Sequence, residues 1–154
     1  KVSSERRRYI PLGFIGPETF CSDLVFLIAD ASVYQFGVLH SQFHNAWMRT
    51  VCGRLESRYR YSGGVVYNNF VWPNPTSKQR EAIEACAQAI LDTRDNYPDK
   101  SLANLYDPDK MPADLLAAHR ALDAAVEAAY GVNFDGDEEK IVAHLFKLYA
   151  QATA

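Results

Sequence analysis

The stretch Gly53-Arg54-Leu55-Glu56-Ser57-Arg58-Tyr59-Arg60-Tyr61-Ser62 decides how this chain is organised. Its alternating side chains predict a β-strand with Glu56, Arg58 and Arg60 on one face. The residues that would face the other way are Leu55, Ser57, Tyr59 and Tyr61. Arginine can pair bidentately with guanine, and a carboxylate can accept a hydrogen bond from the exocyclic amine of cytosine. The row is therefore a candidate base-reading face, although an ordinary solvated strand carries the same residue types.

The residues around this stretch predict a small mixed sheet with a packed helix. A Ser62-Gly63-Gly64 turn and a strand over residues 65–70 would complete a β-hairpin. Short strands are also predicted over residues 8–15 and 24–28, and the second is a continuous apolar run that suggests burial on both faces. Apolar residues at helical spacing predict a helix over residues 34–52, which Gly53 would end.

The second half of the chain, after Trp72-Pro73-Asn74-Pro75, predicts an all-α helical bundle. Three helices are predicted: one from the capping box Thr76-x-x-Gln79, one over residues 113–130, and one from Asp135-x-x-Glu138 to Lys147. Tyr97-Pro98 would stop the first helix, and Gly131 would cap the second. The predicted fold is thus α+β, with domains over residues 1–75 and 76–154.

Charge divides the chain in the same place. The net charge of the 154 residues is -3. Residues 1–75 carry eight lysines and arginines against five acidic residues, a net charge of +3, whereas residues 76–154 carry eight against fourteen, a net charge of -6. A surface for nucleic acid is therefore expected in the first half. The tract Arg6-Arg7-Arg8 is suited to phosphate contact, although a solvated terminus would look the same.

Other candidate sites have simple structural interpretations. His40 and His44 stand one helical turn apart, but without a third ligand at convincing spacing we favour structural roles over a metal-dependent enzyme. Asn68 and Asn69 are candidates for DNA contact or for capping a turn. Three widely spaced cysteines indicate reduced thiols in a cytoplasmic protein, and no apolar run is long enough for a membrane span. We expect the chain, which does not begin with Met, to be a piece of a longer protein.

Several segments together carry a family likeness. In order, they are Phe36-Gly37-Val38-Leu39-His40-Ser41, Ala46-Trp47-Met48-Arg49, Gly53-Arg54-Leu55, Tyr59-Arg60-Tyr61-Ser62, Tyr67-Asn68-Asn69-Phe70, Trp72-Pro73 and Ser101-Leu102-Ala103-x-Leu105-Tyr106-Asp107-Pro108. They resemble the C-terminal part of MmeI-like proteins, which are large DNA adenine methyltransferases, many fused to a nuclease in single-chain restriction–modification enzymes. Val71 departs from the family, which usually has Pro at this position.

The resemblance implies the end of a target recognition domain followed by a C-terminal helical domain. The residues corresponding to those that choose the base pair are Glu56, Arg58 and Arg60, and Glu56 with Arg58 would read one C·G pair jointly. Contacts to the DNA backbone are expected from Arg6, Arg7, Arg8, Arg49 and Arg54. The implied partners are double-stranded DNA and the parent's own methyltransferase domain, which would lie upstream and bind S-adenosylmethionine.

This fragment would not catalyse methylation itself. The chain contains neither the Asn-Pro-Pro-aromatic motif that holds the target amine nor a Gly-rich loop for S-adenosylmethionine, so we expect no catalytic residue, metal or cofactor in it. The alternative interpretation is a docking domain whose acidic helices pack on the parent's catalytic core, with the hairpin as scaffold.

Overall fold

Three short β-strands, six α-helices and one π-helix make up the fold, which a computed structural model describes from Lys1 to Ala154. The strands are β1 (Val2–Ser3), β2 (Gly53–Leu55) and β3 (Arg58–Arg60). The α-helices are α1 (Val33–His40), α2 (Gln42–Val51), α3 (Ser77–Asp95), α4 (Leu102–Leu105), α5 (Ala113–Ala129) and α6 (Glu138–Ala152), and the π-helix spans Gly63–Tyr67. The predicted α+β class, with a helical second half, is confirmed.

The strands form an antiparallel sheet in the order β1-β3-β2. Leu55 pairs with Arg58, so the predicted single strand over this stretch is wrong: it is a complete hairpin with Glu56 and Ser57 at its tip. Glu56 takes a left-handed backbone conformation, with φ of 56°. Tight hairpins usually have Gly or Asn at a position with this conformation, and the Glu-Ser pair of this turn contains neither.

The other predicted strands are also absent. A second strand of the hairpin is predicted over residues 65–70, but residues 65–67 belong to the π-helix and residues 68–70 are not in a strand. The Ser62 side chain caps this helix by accepting from the amide of Val65. Residues 8–15 and 24–28 have no regular structure. The segment that pairs with the free edge of β3 is instead β1, at the start of the chain, so neither of these segments has a partner strand.

The predicted helix over residues 34–52 is broken in the middle. Ser41 is extended, with φ of -72° and ψ of 162°, and separates α1 from α2. Its hydroxyl donates to the carbonyl of Val38 at 2.7 Å, which satisfies a group at the end of α1. Gly53 does not cap this helix, since α2 ends at Val51 with Cys52 as its C-cap, and Gly53 begins β2.

The second half follows the predicted order of helices closely. The capping box of Thr76 and Gln79 begins α3, and Gly131, with φ of 71°, follows the end of α5. The start of the last helix differs, because Asp137 rather than Asp135 caps α6 and accepts from the amide of Lys140. No helix of the structure combines the length and the apolar character that crossing a membrane requires.

One hydrophobic core joins the two halves of the chain. It contains 23 buried residues and runs from Tyr9 and Phe43 to Leu122 and Leu145. A Cβ on Gly37 would lie 3.0 Å from both Ala87 and Ile83, so the missing side chain lets α1 approach α3 closely. The helical half therefore fixes the position of α1 and α2, and α2 holds the end of the hairpin through the contact of His44 with Tyr61.

Candidate nucleic-acid interface

Glu56 and Arg58 form an ion pair at the tip of the hairpin. Arg58 Nη2 lies 2.9 Å from Glu56 Oε2, and the two side chains are 78% and 46% exposed, with Glu56 the more exposed. An exposed pair of this kind contributes roughly 0–1 kcal/mol to folding. The structure thus presents an acceptor and a donor side by side, at a place where the fold gains little from them.

The alternation predicted around Tyr59 is present within the hairpin. Arg58 and Arg60 are exposed, whereas Tyr59 between them is buried. Arg54 pairs with Tyr59 in register, and its guanidinium lies 4.2 Å from the centre of the Tyr59 ring. Arg54 also donates to the carbonyl of Ser57 at 3.1 Å. Its contacts are therefore with the hairpin itself, on the side opposite Arg58 and Arg60.

The base of the hairpin is fixed to α2 through Tyr61 and His44. The Tyr61 hydroxyl lies 2.9 Å from His44 Nε2, and His44 Nδ1 lies 2.8 Å from the carbonyl oxygen of Leu39. Burial lowers the pKa of His44 to about 4, so the ring is neutral at pH 7. His40 has a different partner, the carbonyl of Ile10 at 2.8 Å. The two histidines thus stabilise separate parts of the fold, and no cluster of three metal-ligating side chains is found.

The basic residues expected at the DNA backbone fall into two groups. Arg6, Arg7, Arg8 and Arg49 line one groove, apart from Arg54 in the hairpin. Arg6 pairs with Asp109 at 2.5 Å in an exposed contact. Arg49 is more firmly held, since it donates to both carboxylate oxygens of Glu138 and to the carbonyl of Arg8.

Asn68 and Asn69 have different surroundings. The Asn69 amide nitrogen donates to the carbonyls of Gly64 and Val65, at 2.9 and 3.0 Å, and so caps the π-helix. Asn68 ends that helix through its backbone amide, which donates to the carbonyl of Gly63, and its side chain is exposed. Turn capping, one of the two predicted roles, describes Asn69 in this structure.

A buried polar network connects the two halves and was missed in the sequence. Arg94 donates to the hydroxyl of Tyr106 at 3.0 Å and to the carbonyl of Leu12 at 2.7 Å. The same hydroxyl lies 2.8 Å from Nε2 of His119, whose ring stacks on Tyr9 at 4.2 Å. Burial lowers the pKa of His119 to about 3. The network holds the segment after the arginine tract, and no local pattern signals it because its members are far apart in sequence.

Comparisons with known proteins show the family to which this chain is similar. The chain matches the models of two domains, described as MmeI, target recognition domain (residues 1–74) and MmeI, C-terminal domain (residues 75–154). It is 43% identical over 153 residues to DNA methyltransferase A of Bacillus subtilis (strain 168), a match that covers 99% of this chain and 17% of the relative.

A solved structure gives the same result. This structure shows the Type IIL restriction-modification enzyme MmeI in complex with DNA. The enzyme is 49% identical in sequence to this chain, and the two structures superpose with a TM-score of 0.96 over 99% of this chain and 20% of that chain. The chain therefore spans only 17% and 20% of the lengths of these two relatives. The resemblance inferred from the sequence motifs is confirmed. The chain belongs to the MmeI family, of which it contains target recognition domain sequence and the C-terminal domain.

Proposed function

We propose that this chain is the part of a DNA adenine methyltransferase that recognises a specific DNA sequence. The observation that carries the proposal is the exposed Glu56–Arg58 pair on a hairpin whose opposite face is anchored in the core. The relatives support it, because one is a DNA methyltransferase and the other is a restriction-modification enzyme solved in complex with DNA.

Glu56 and Arg58 would read one C·G base pair together. The carboxylate of Glu56 accepts from the N4 amine of cytosine, and the guanidinium of Arg58 donates to O6 and N7 of guanine. Their mutual contact at 2.9 Å keeps both side chains near the required positions before DNA arrives. A guanidinium has five donors, so Arg58 can keep its contact with Glu56 while it binds guanine.

Arg60 would read a different base pair from Arg58. Residues two apart on a strand are separated by about 7 Å, and base pairs are stacked about 3.4 Å apart. If β3 follows the groove, Arg60 lies about two base-pair steps from Arg58.

The remaining arginines would position the protein without choosing bases. Arg6, Arg7 and Arg8 contact phosphates and set the register of the protein on DNA. Arg54 holds the hairpin through Tyr59 and Ser57, and Arg49 holds the groove wall through Glu138, so both support DNA binding through the protein structure.

Catalysis would belong to the rest of the polypeptide. The target adenine is flipped out of the duplex into a methyltransferase domain that binds S-adenosylmethionine. This chain contributes the position of the DNA relative to that domain, and no step of methyl transfer.

The experiment that tests the proposal measures binding of the full-length protein to duplexes that differ at single base pairs. We expect Arg58→Ala to reduce discrimination at one position by roughly 1–3 kcal/mol. The matched control Arg8→Ala should weaken binding to all sequences equally and lower the dependence on salt. If the two substitutions affect every sequence in the same way, the separate roles of Arg58 and Arg8 are wrong.

A further inference from the structure

Residues 14–27 form an apolar loop with no cover in this structure. Six of its large apolar side chains are exposed: Phe14, Ile15, Phe20, Leu24, Val25 and Leu27. Phe20 is 100% exposed and contacts nothing that shields it. Soluble proteins rarely leave such a contiguous apolar surface without a partner. The continuous apolar run within this loop predicts burial on both faces, a condition that the chain alone does not meet.

The apolar loop nevertheless has a fixed underside. Phe26 packs against Tyr61 and Tyr67, with ring centres 5.3 and 5.8 Å apart, and Phe14 lies 5.2 Å from Phe36. These contacts hold both ends of the loop on the hairpin and on α1. The outer side chains are thus presented on an anchored surface, as a docking site requires.

The charges of the loop disfavour DNA as its partner. Residues 14–27 contain Glu18 and Asp23 and neither lysine nor arginine. Carboxylates beside exposed aromatic rings would repel phosphates, and they also disfavour an anionic lipid surface. An apolar protein surface suits the loop better.

The position of Lys1 indicates which protein surface this is. The Lys1 amino nitrogen lies 2.6 Å from the carbonyl oxygen of Leu24, and the Lys1 carbonyl accepts from the amide of Tyr61 at 2.6 Å. Any polypeptide joined to Lys1 therefore leaves from the apolar loop itself. It would also extend β1, which is an edge strand able to accept a further strand on its open side.

We propose that the apolar loop is the docking surface for the rest of the same polypeptide in the full-length protein. The lengths of the relatives supply the occupant, because the matched region is 17% of one and 20% of the other. Docking would bury Phe20 and Leu24 and fix the hairpin relative to the part of the protein that methylates DNA. The inference rests on the chain being part of such a protein, as in the proposed function, and is independent of which residues read bases.

Cysteine accessibility in the full-length protein tests this docking. In separate variants, Phe20→Cys is compared with Ala89→Cys, an exposed position in the middle of α3, away from the helix N-terminus that would activate a thiol. Each native protein is treated with iodoacetamide, and alkylation at each site is followed by peptide mass spectrometry. We expect Cys at position 20 to react at least about tenfold more slowly than Cys at position 89, with equal rates in denaturant.

Equal native rates at the two positions would overturn the proposal. Protection that disappears on dilution to the monomer would also overturn it, because a second copy would then be the cover. The unsubstituted protein gives an independent result through Cys21, which lies in the loop. Burial raises the pKa of Cys52 and Cys86, which slows their alkylation. Cys21 should react no faster than these two thiols, and a Cys21 that reacts fastest would contradict the docking. Neither readout depends on the base specificity that Arg58→Ala tests.

Discussion

Arg49 donates through Nε and Nη2 to the two carboxylate oxygens of Glu138, each at 2.8 Å, and so joins α2 to the first turn of α6. The same guanidinium donates through Nη1 to the carbonyl of Arg8 at 2.9 Å. With three protein acceptors and a side chain that is only 16% exposed, Arg49 is poorly placed to contact phosphate. We propose that Arg49 supports DNA binding by holding the groove that contains the arginine tract.

The first prediction concerns this contact. We expect Arg49→Ala to lower the free energy of unfolding by roughly 1–2 kcal/mol, because a bidentate, charge-assisted pair and a backbone contact are lost. Urea unfolding of the chain measures this directly. Lys140→Ala is the control, since its exposed pair joins only the first turn of α6 to the N-cap Asp137 and should matter less. A reduced salt dependence of DNA binding, with unchanged stability, would instead make Arg49 a phosphate contact.

The second prediction separates fold from recognition at Glu56. Since Glu56 has φ of 56°, glycine suits its backbone, and Glu56→Gly should change the free energy of unfolding by no more than about 1 kcal/mol. The same substitution removes the proposed acceptor for cytosine, so discrimination at one base pair should fall. Asp30, with φ of 53°, offers a matched control. Asp30→Gly should leave base discrimination unchanged, and an equal loss in both variants would refute the role of Glu56.

The third prediction concerns Arg54 as a support of the hairpin. Removing its guanidinium in Arg54→Ala eliminates the stacking on Tyr59 and the bond to Ser57, which together stabilise the hairpin by roughly 1 kcal/mol. Hydrogen exchange of the β2 and β3 amides in the full-length protein should become faster. Exchange elsewhere in the fold should not change. Unaltered exchange in the hairpin, together with weaker binding to all DNA sequences, would identify Arg54 as a phosphate contact.

The sequence predicted the helical half of the fold far better than the sheet. The capping box at Thr76, the apolar stripe through Ile83 and the glycine after α5 are local signals, and each describes what the structure contains. The sequence does not indicate the turn of the hairpin, because alternation continues through its two residues, which lack the usual Gly or Asn. The pairing of Val2 with Arg60 joins distant parts of the chain, so no local pattern could reveal it.

The candidate site was predictable in its residue types and less so in its geometry. The alternation placed Arg58 and Arg60 on an exposed face, and both are exposed. The contacts of Arg49 with Glu138 and of Arg94 with the carbonyl of Leu12 could not be predicted, because they join the two halves of the chain. A long-range contact leaves no spacing rule in a single sequence.

The fourth prediction is a loss of stability on acidification. Burial lowers the pKa of His44 to about 4 and that of His119 to about 3, against about 6.5 in an unfolded chain. The stability that each neutral ring contributes is fully present above about pH 6.5 and is lost as the pH falls. Between pH 7 and pH 5 the loss should be roughly 2 kcal/mol for each ring.

Asp123 acts in the opposite direction. Burial raises its pKa to about 6, so its contribution to stability is present at low pH and is lost as the pH rises through 6. The two histidines together lose more stability on acidification than Asp123 gains, so the urea midpoint of the chain should fall from pH 7 to pH 5. His119→Gln should reduce the size of that fall. A midpoint that rises on acidification would show that the rings are not buried as the structure has them.

The central claim, that Glu56 and Arg58 choose a base pair, is tested most directly by exchanging their charges. The full-length protein carrying Glu56→Lys and Arg58→Asp is expressed, and its methylated sites are mapped across a genome. The control exchanges the exposed pair on α3, with Arg80→Glu and Glu84→Arg. We predict a new base pair at one position of the methylated sequence in the first variant and none in the control. An unchanged methylated sequence, with normal levels of methylation, would contradict the claim and leave the hairpin as scaffold.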